Sequence, residues 1–216
     1  MASIAPSSIS FSSAQGGPDA SDDSLLRVVL PPARSRVVDA LLVCIGRWGL
    51  TKTTMEDLAR EAGVSRATVY RLFPGGKAEV LEVVVQVELG RLVEQLRVGL
   101  AGLGDRRLRL EHALILGARF VLHHEALTFL REHEPVEFSR LVQLHQLDAL
   151  LSVAGRLLGP ELRPVFDSDE QAADVAIWMS RIVVSHLVDP SPALDLTDPV
   201  HVREVVAIRL LPGLED

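Results

Sequence analysis

The sequence predicts an all-α protein in two unequal parts, and three observations carry that reading. Aromatic residues make up only 4% of the chain, which disfavours a sheet. Leu, Val and Ala recur instead at the three- and four-residue spacings of an amphipathic helix. Short Gly and Pro groups, among them Phe73-Pro74-Gly75-Gly76, Gly102, Gly104 and Gly159-Pro160, then cut these runs into helix-sized pieces. The pieces fall into a tail over 1–32, a small unit over 33–77 and a larger helical body over 78–216.

Residues 1–24 are mostly Ser, Ala, Gly, Pro and Asp, a composition that buries too little apolar surface to offset ordering entropy, so the tail is expected to be disordered. After Pro31-Pro32 a first helix is expected from Ser35 to Trp48, with Val37, Val38, Leu41, Leu42 and Ile45 as its apolar stripe and Gly49 as its stop. Thr53, followed three residues later by Glu56, reads as a capping box opening a second helix. Met55, Leu58 and Ala59 supply the inward face of that helix. Gly63 tolerates the left-handed backbone of the turn that follows. Ser65 then caps a third helix, Arg66 to Leu72, too short to stand alone in water and therefore held by packing of Val69, Leu72 and Phe73.

Longer and more apolar helices follow: 78–100, 106–124, 125–134, 136–158, 169–188 and 199–211, the last two separated by a Pro- and Asp-rich stretch over 189–198.

The net charge of −7 would argue against nucleic acid if it were spread evenly, and it is not. Residues 33–77 hold eight basic residues against four acidic ones, a net +4, which leaves −11 for the remainder. A basic module on an acidic body approaches a phosphate backbone module first. Arg27, Arg34 and Arg36, beside the first helix, are further candidates for phosphate or minor-groove contact. The single cysteine, Cys44, excludes an intrachain disulfide. No signal peptide and no membrane-spanning run is read, so a cytoplasmic protein without membrane contact is expected. Nor is an enzyme expected, since the sequence has no glycine-rich phosphate loop, nucleophile elbow or HExxH, and no cofactor is implied.

The run Thr53-Thr54-Met55-Glu56-Asp57-Leu58-Ala59-Arg60-Glu61-Ala62-Gly63-Val64-Ser65-Arg66-Ala67-Thr68-Val69-Tyr70-Arg71-Leu72-Phe73-Pro74-Gly75-Gly76-Lys77 resembles the DNA-binding motif of TetR-family transcriptional regulators. The resemblance is specific over about 33–90. It implies an N-terminal three-helix helix-turn-helix DNA-binding domain and a larger C-terminal helical domain for ligand binding and dimerisation. The physics of the motif agrees, because a helix-turn-helix lays its second helix in the major groove with the side chains at its start against base edges. Ser65, Arg66 and Thr68 are the candidate base contacts, with Arg71 one turn on. Thr53 and Thr54, at the mouth of the second helix, suit a phosphate. The resemblance adds Tyr70 and Lys77 as phosphate contacts, although the Gly75-Gly76 pair places one residue more before Lys77 than the commoner family spacing.

For the body, the resemblance implies a four-helix bundle made by the last two long helices and their copies in a second chain. Ala173, Ile177, Trp178, Ser180, Val184 and Leu187 are the candidate homodimer face. Two recognition helices about one DNA turn apart would then read a roughly palindromic operator of double-stranded DNA. Phe120, His124, Phe129, Phe138, Leu141 and His145 are the candidate lining of a pocket for a small, mainly apolar effector whose binding releases the DNA. The histidines of this region show no metal-ligand spacing, so no metal is expected. The alternative is a constitutive helix-turn-helix protein with no effector.

Overall fold

The structure, a computed structural model, describes residues 30–142, 144–191 and 193–210, and the side chains of 144–149 lie outside that description. The expectation of a disordered tail, and Arg27 with it, falls almost wholly on residues outside the described ones. Ten α-helices are seen among the described residues: α1 (Pro32–Trp48), α2 (Met55–Glu61), α3 (Arg66–Leu72), α4 (Gly76–Gly99), α5 (Arg106–Leu122), α6 (Glu125–His133), α7 (Pro135–Leu141), α8 (Leu144–Leu162), α9 (Asp169–Val188) and α10 (Pro199–Val205), the last continued by a π-helical turn, Val206–Leu210. No strand occurs among them.

Local chemistry explains most of the helix ends. α1 starts three residues earlier than expected because Pro32 serves as its first residue, where a missing N–H costs nothing. Ser65, Asp105, Ser168 and Asp198 each accept a backbone N–H at the start of α3, α5, α9 and α10. The capping box of α2 is shifted by one residue from the expected position. Thr53 is buried, and its hydroxyl donates to the Gly49 carbonyl at 2.6 Å, so Thr54 becomes the cap and Asp57, not Glu56, returns the bond. Those bonds from Thr54 hold the Asp57 carboxyl below the usual carboxylate range.

Two apolar cores lie along the molecule. The first joins α1, α2 and α3 through Val37, Leu41, Ile45, Leu58, Val69 and Phe73, and the second joins α5, α8 and α9 with α10 and the π-helical turn after it. Helix α4 belongs to both: Val80, Val83 and Val84 enter the first core, while Leu92, Val93 and Leu96 enter the second. The expected boundary at 77/78 therefore lies at the start of a continuous helix rather than in a linker. The first core also takes Ala126 and Leu130 of α6, Phe138 of α7 and Leu187 of α9.

That division of labour breaks the helix expected over 136–158. Phe138 is buried in the first core, whereas Ala154 and Leu158 are buried in the second, and α7 ends at Leu141 with Val142 as its cap. The two segments meet different cores, and α7 gives way to α8 between them.

Helices α8 and α9 pack closely on each other within the chain. A side chain at Gly159 would lie 3.0 Å from the Ala173 Cα, and one at Gly155 would lie 2.5 Å from the Ile177 side chain. The small residues of α9 thus meet glycines of the same chain. Within the chain, Ala173 and Ile177 of the expected dimer face lie against α8, Leu187 is buried in the first core, and Ser180 and Val184 look into a cavity described below. Of that set only Trp178 is exposed, at 38%. Small residues at helical spacing mark a close helix contact without saying which helix makes it.

Candidate functional site

The second helix of the helix-turn-helix is presented outward by its own burial pattern. In α3, Val69 and the following Phe73 are fully buried, which leaves Arg66, Ala67, Tyr70 and Arg71 exposed on the opposite face. The turn before it runs through Gly63 at φ 64°, the left-handed value that glycine adopts without a Cβ penalty. The Ser65 hydroxyl accepts the Thr68 N–H at 3.1 Å and lies 2.9 Å from the Thr68 hydroxyl, so the cap and two candidate base contacts form one unit at the start of the helix. The Arg66 guanidinium pairs with Glu56 of α2, and both side chains are more than half exposed. An exposed pair of this kind contributes at most about 1 kcal/mol, so Arg66 is free to exchange its partner.

Around α3 the other candidates divide. Thr54, at the exposed start of α2, and Tyr70, 48% exposed, both open to solvent. Thr53 and Lys77, also expected at phosphates, are engaged within the chain. The Thr53 side chain is spent on Gly49, and the Lys77 ammonium donates to the Leu50 carbonyl at 2.8 Å and the Thr53 carbonyl at 2.9 Å. Burial pushes the Lys77 ammonium below the usual lysine range, with the carboxylates of Glu134 and Glu137 pulling the other way. Loop carbonyls that have no helical partner need a donor, and Lys77 is that donor. The arginines of α1 are also engaged: Arg34 lies 4.5 Å from the Phe73 ring centre and bonds Glu79 at 3.1 Å, and Arg36 Nε donates to the Ala62 carbonyl at 3.1 Å.

A contact that the sequence alone does not signal joins this module to the body. The Glu134 carboxylate, between α6 and α7, accepts the Leu50 N–H at 2.7 Å and the Thr51 N–H at 3.2 Å. The peptide groups around Leu50 are thus held by Glu134 on one side and Lys77 on the other. Gly49 has φ 92°, and a Cβ there would sit 2.5 Å from the Glu134 carboxylate, so glycine is required both by the backbone and by the approach.

Between the two cores lies an apolar cavity of about 290 Å³. Helix α4 lines it from Leu81 to Leu96, a length of roughly 22 Å at 1.5 Å per residue. Leu42 and Ile45 of α1 close the end nearest the helix-turn-helix, and Ala154, Leu158 and Leu162 of α8 line the far end. Of the candidate pocket residues, Phe120, His124 and Leu141 stand on its wall. Phe129 and Phe138 do not: Phe129 stacks on His133, with ring centres 4.4 Å apart, and Phe138 fills the first core. Both follow the helical apolar pattern, which marks burial without distinguishing a filled core from a cavity wall. The side chain of His145 lies outside the described residues.

One polar cluster enters this wall. His124 caps α6, its Nδ1 accepting the Leu127 N–H at 3.4 Å, while Nε2 lies 3.4 Å from Glu88 of α4. Glu88 is also bound by Arg91 at 2.5 Å, and Arg91 reaches Asp39 of α1 at 2.6 Å. Burial alone would push the Glu88 carboxyl up, but the bonds from His124 and Arg91 outweigh it and hold the group below the usual range. Among the described residues no three His, Cys, Asp or Glu side chains gather as a metal ion would require. No single helix among them is long and apolar enough to cross a membrane.

Comparison with known proteins agrees with this geometry. Residues 37–84 match the family described as bacterial regulatory proteins, tetR family. The chain is 43% identical over 54 residues to the HTH-type transcriptional regulator BetI of Agrobacterium fabrum and 42% identical over 52 residues to the HTH-type transcriptional regulator SrpR of Pseudomonas putida. These matches cover 25% and 24% of this chain and only 26% and 24% of those relatives. The fold is similar over a longer span. The TetR family repressor AlkX from Dietzia sp. aligns with a TM-score of 0.64 at 22% identity, covering 84% of this chain and 95% of that one. The fatty acid degradation regulator FadR from Bacillus halodurans aligns at 0.54 and 21%, covering 84% and 97%. The helix-turn-helix segment therefore matches the family described as bacterial regulatory proteins, tetR family, and the chain shares the all-helical fold of these solved structures.

Proposed function

We propose that the protein is a transcriptional regulator, a repressor that binds a palindromic operator as a homodimer and leaves it when a small, mainly apolar molecule enters the body. The observation that carries the DNA reading is the burial of Val69 and Phe73, which turns Arg66, Tyr70 and Arg71 outward together. In this reading Ser65, Arg66, Thr68 and Arg71 meet bases, and Thr54 and Tyr70 meet phosphates. Thr53 and Lys77 support the loop beneath them instead. The outward face of α8 and α9, with Trp178 exposed on it, is the surface available for a second copy. The effector reading rests on the cavity, whose wall includes α1 of the DNA module and the first half of α4, so a molecule that fills it acts directly on the elements that hold α3.

The experiment is selection from a randomised duplex library by the purified protein at moderate salt, followed by sequencing. A motif of two inverted half-sites, with a dimer in solution at the same concentration, is the expected result. Recovery of no sequence preference would remove the regulator reading, and a preference that no apolar molecule relieves would leave a constitutive DNA-binding protein.

A further inference from the structure

The effector reading above says only that the ligand is apolar, and the cavity is not uniformly so. Its polar side chains are unevenly placed. Glu82 and Glu88 of α4 and His124 of α6 lie at the end near α1, while the end formed by Leu96, Leu158 and Leu162 is hydrocarbon. Ser180 of α9 adds one hydroxyl to the wall. Among the described residues no Lys or Arg side chain lines the cavity, and the segment 143–149 contains none.

The formal charge at the polar end is negative. Asp39, Glu82 and Glu88 are set against Arg91 alone, a net −2, and a proton on His124 would leave −1. Glu82 has no cation paired with it among the described residues, and its side chain is half-buried on the wall.

These facts discriminate between ligand classes. A pure hydrocarbon would lay an apolar chain against two carboxylates and strip water from them with no return. A molecule ending in a carboxylate would bring a further negative charge to an end whose arginine, Arg91, is already shared by Glu88 and Asp39. A molecule ending in an ammonium group would supply the missing counter-charge and hydrogen-bond donors together, with its chain along the apolar length of α4.

We propose that the cavity takes an elongated cationic amphiphile, a single apolar chain ending in an amine, with its head at Glu82, Glu88 and His124 and its tail towards Leu158 and Leu162. This inference rests on the effector reading and adds the polarity and orientation of the ligand. It places the charged head beside α1 and the first turns of α4, the elements shared with the DNA module.

The test is calorimetric titration of the whole protein with dodecylammonium, dodecanol and dodecanoate, each below its micellar concentration. Dodecylammonium is expected to bind at one site per chain at least about tenfold tighter than dodecanol, with dodecanoate weakest. Glu82→Lys, at a position with no ion pair to lose, is expected to reverse the order of the two charged probes, and Glu82→Gln to bring them closer. Gly117→Leu should abolish binding of all three, because Gly117 lines the cavity and a side chain there meets no atom within 4 Å. Equal affinities that Gly117→Leu abolishes, or a preference for dodecanoate, would overturn the head-group assignment and leave an apolar effector standing. Binding that survives Gly117→Leu would place the probe on the surface and overturn the proposal. Failure of all three to bind would overturn both the assignment and the effector reading.

Discussion

Arg66 and Lys77 are both cations of the same small module, yet their surroundings assign them different work. Arg66 loses only an exposed partner, so Arg66→Ala should change unfolding free energy by no more than about 1 kcal/mol. Under the proposed function its effect should fall on recognition, with about 1–3 kcal/mol of base discrimination lost at one operator position, measured on a set of single-base operator variants. Lys77→Ala leaves the Leu50 and Thr53 carbonyls without their donor and should cost about 1–3 kcal/mol in urea unfolding. The salt dependence of DNA binding should stay unchanged in that variant; a slope lower by about one would return Lys77 to the phosphates. Glu88 makes a third case. Its carboxyl is held below its ordinary value, so its contribution to stability is fully present above about pH 4.3 and is lost as pH falls through the folded value. Glu88→Gln should therefore unfold with a shallower acid dependence than the parent, as read from denaturant midpoints across that range.

At the scale of elements, the helix-turn-helix was legible because its signals are local. Ser65 as a cap, Gly63 as a turn and the spacing of Leu58, Val69 and Phe73 all act within a few residues of one another. The capping box moved by one residue because two adjacent threonines compete for the role, and the loop's need for a bond to Gly49 took the first. The α8–α9 pair was legible as two helices but not as partners. Two glycine substitutions separate contact from cavity. Gly159→Ala should destabilise by about 1–3 kcal/mol, since its Cβ would press on the Ala173 backbone. Gly117→Ala should stabilise by about 0.5–1 kcal/mol, because the added methyl enters open space and improves helix propensity. Thermal unfolding of the pair measures both, and similar losses in the two would contradict the cavity.

The molecule as a whole is organised around what its two cores share. Helix α4 runs through both, and Glu134 ties the start of α7 to the loop between α1 and α2. A change of shape around the cavity thus has two routes to α3, one along α4 and one through α6, which His124 caps at one end and Glu134 follows at the other. Glu134→Ala is expected to speed hydrogen exchange at the Leu50 and Thr51 amides at least about tenfold, equivalent to about 1.4 kcal/mol of local opening, with exchange in the α8–α9 core unchanged. Unchanged protection at both amides would mean that the carboxylate does not hold the loop.

Periodicity and capping chemistry, which depend on neighbours a few positions apart, were enough to predict the all-helical class, the order of the helices apart from the break between α7 and α8, and the outward residues of α3. Partnership between distant elements was decided only in three dimensions. The same small-residue stripe that reads as a dimer face is occupied by Gly155 and Gly159 of its own chain. The same apolar spacing serves Phe120 on a cavity wall and Phe138 in a filled core. The lysine that reads as a phosphate ligand is taken by two loop carbonyls. A helical period states which side of a helix avoids water, and only the packing of the whole chain determines what stands on that side.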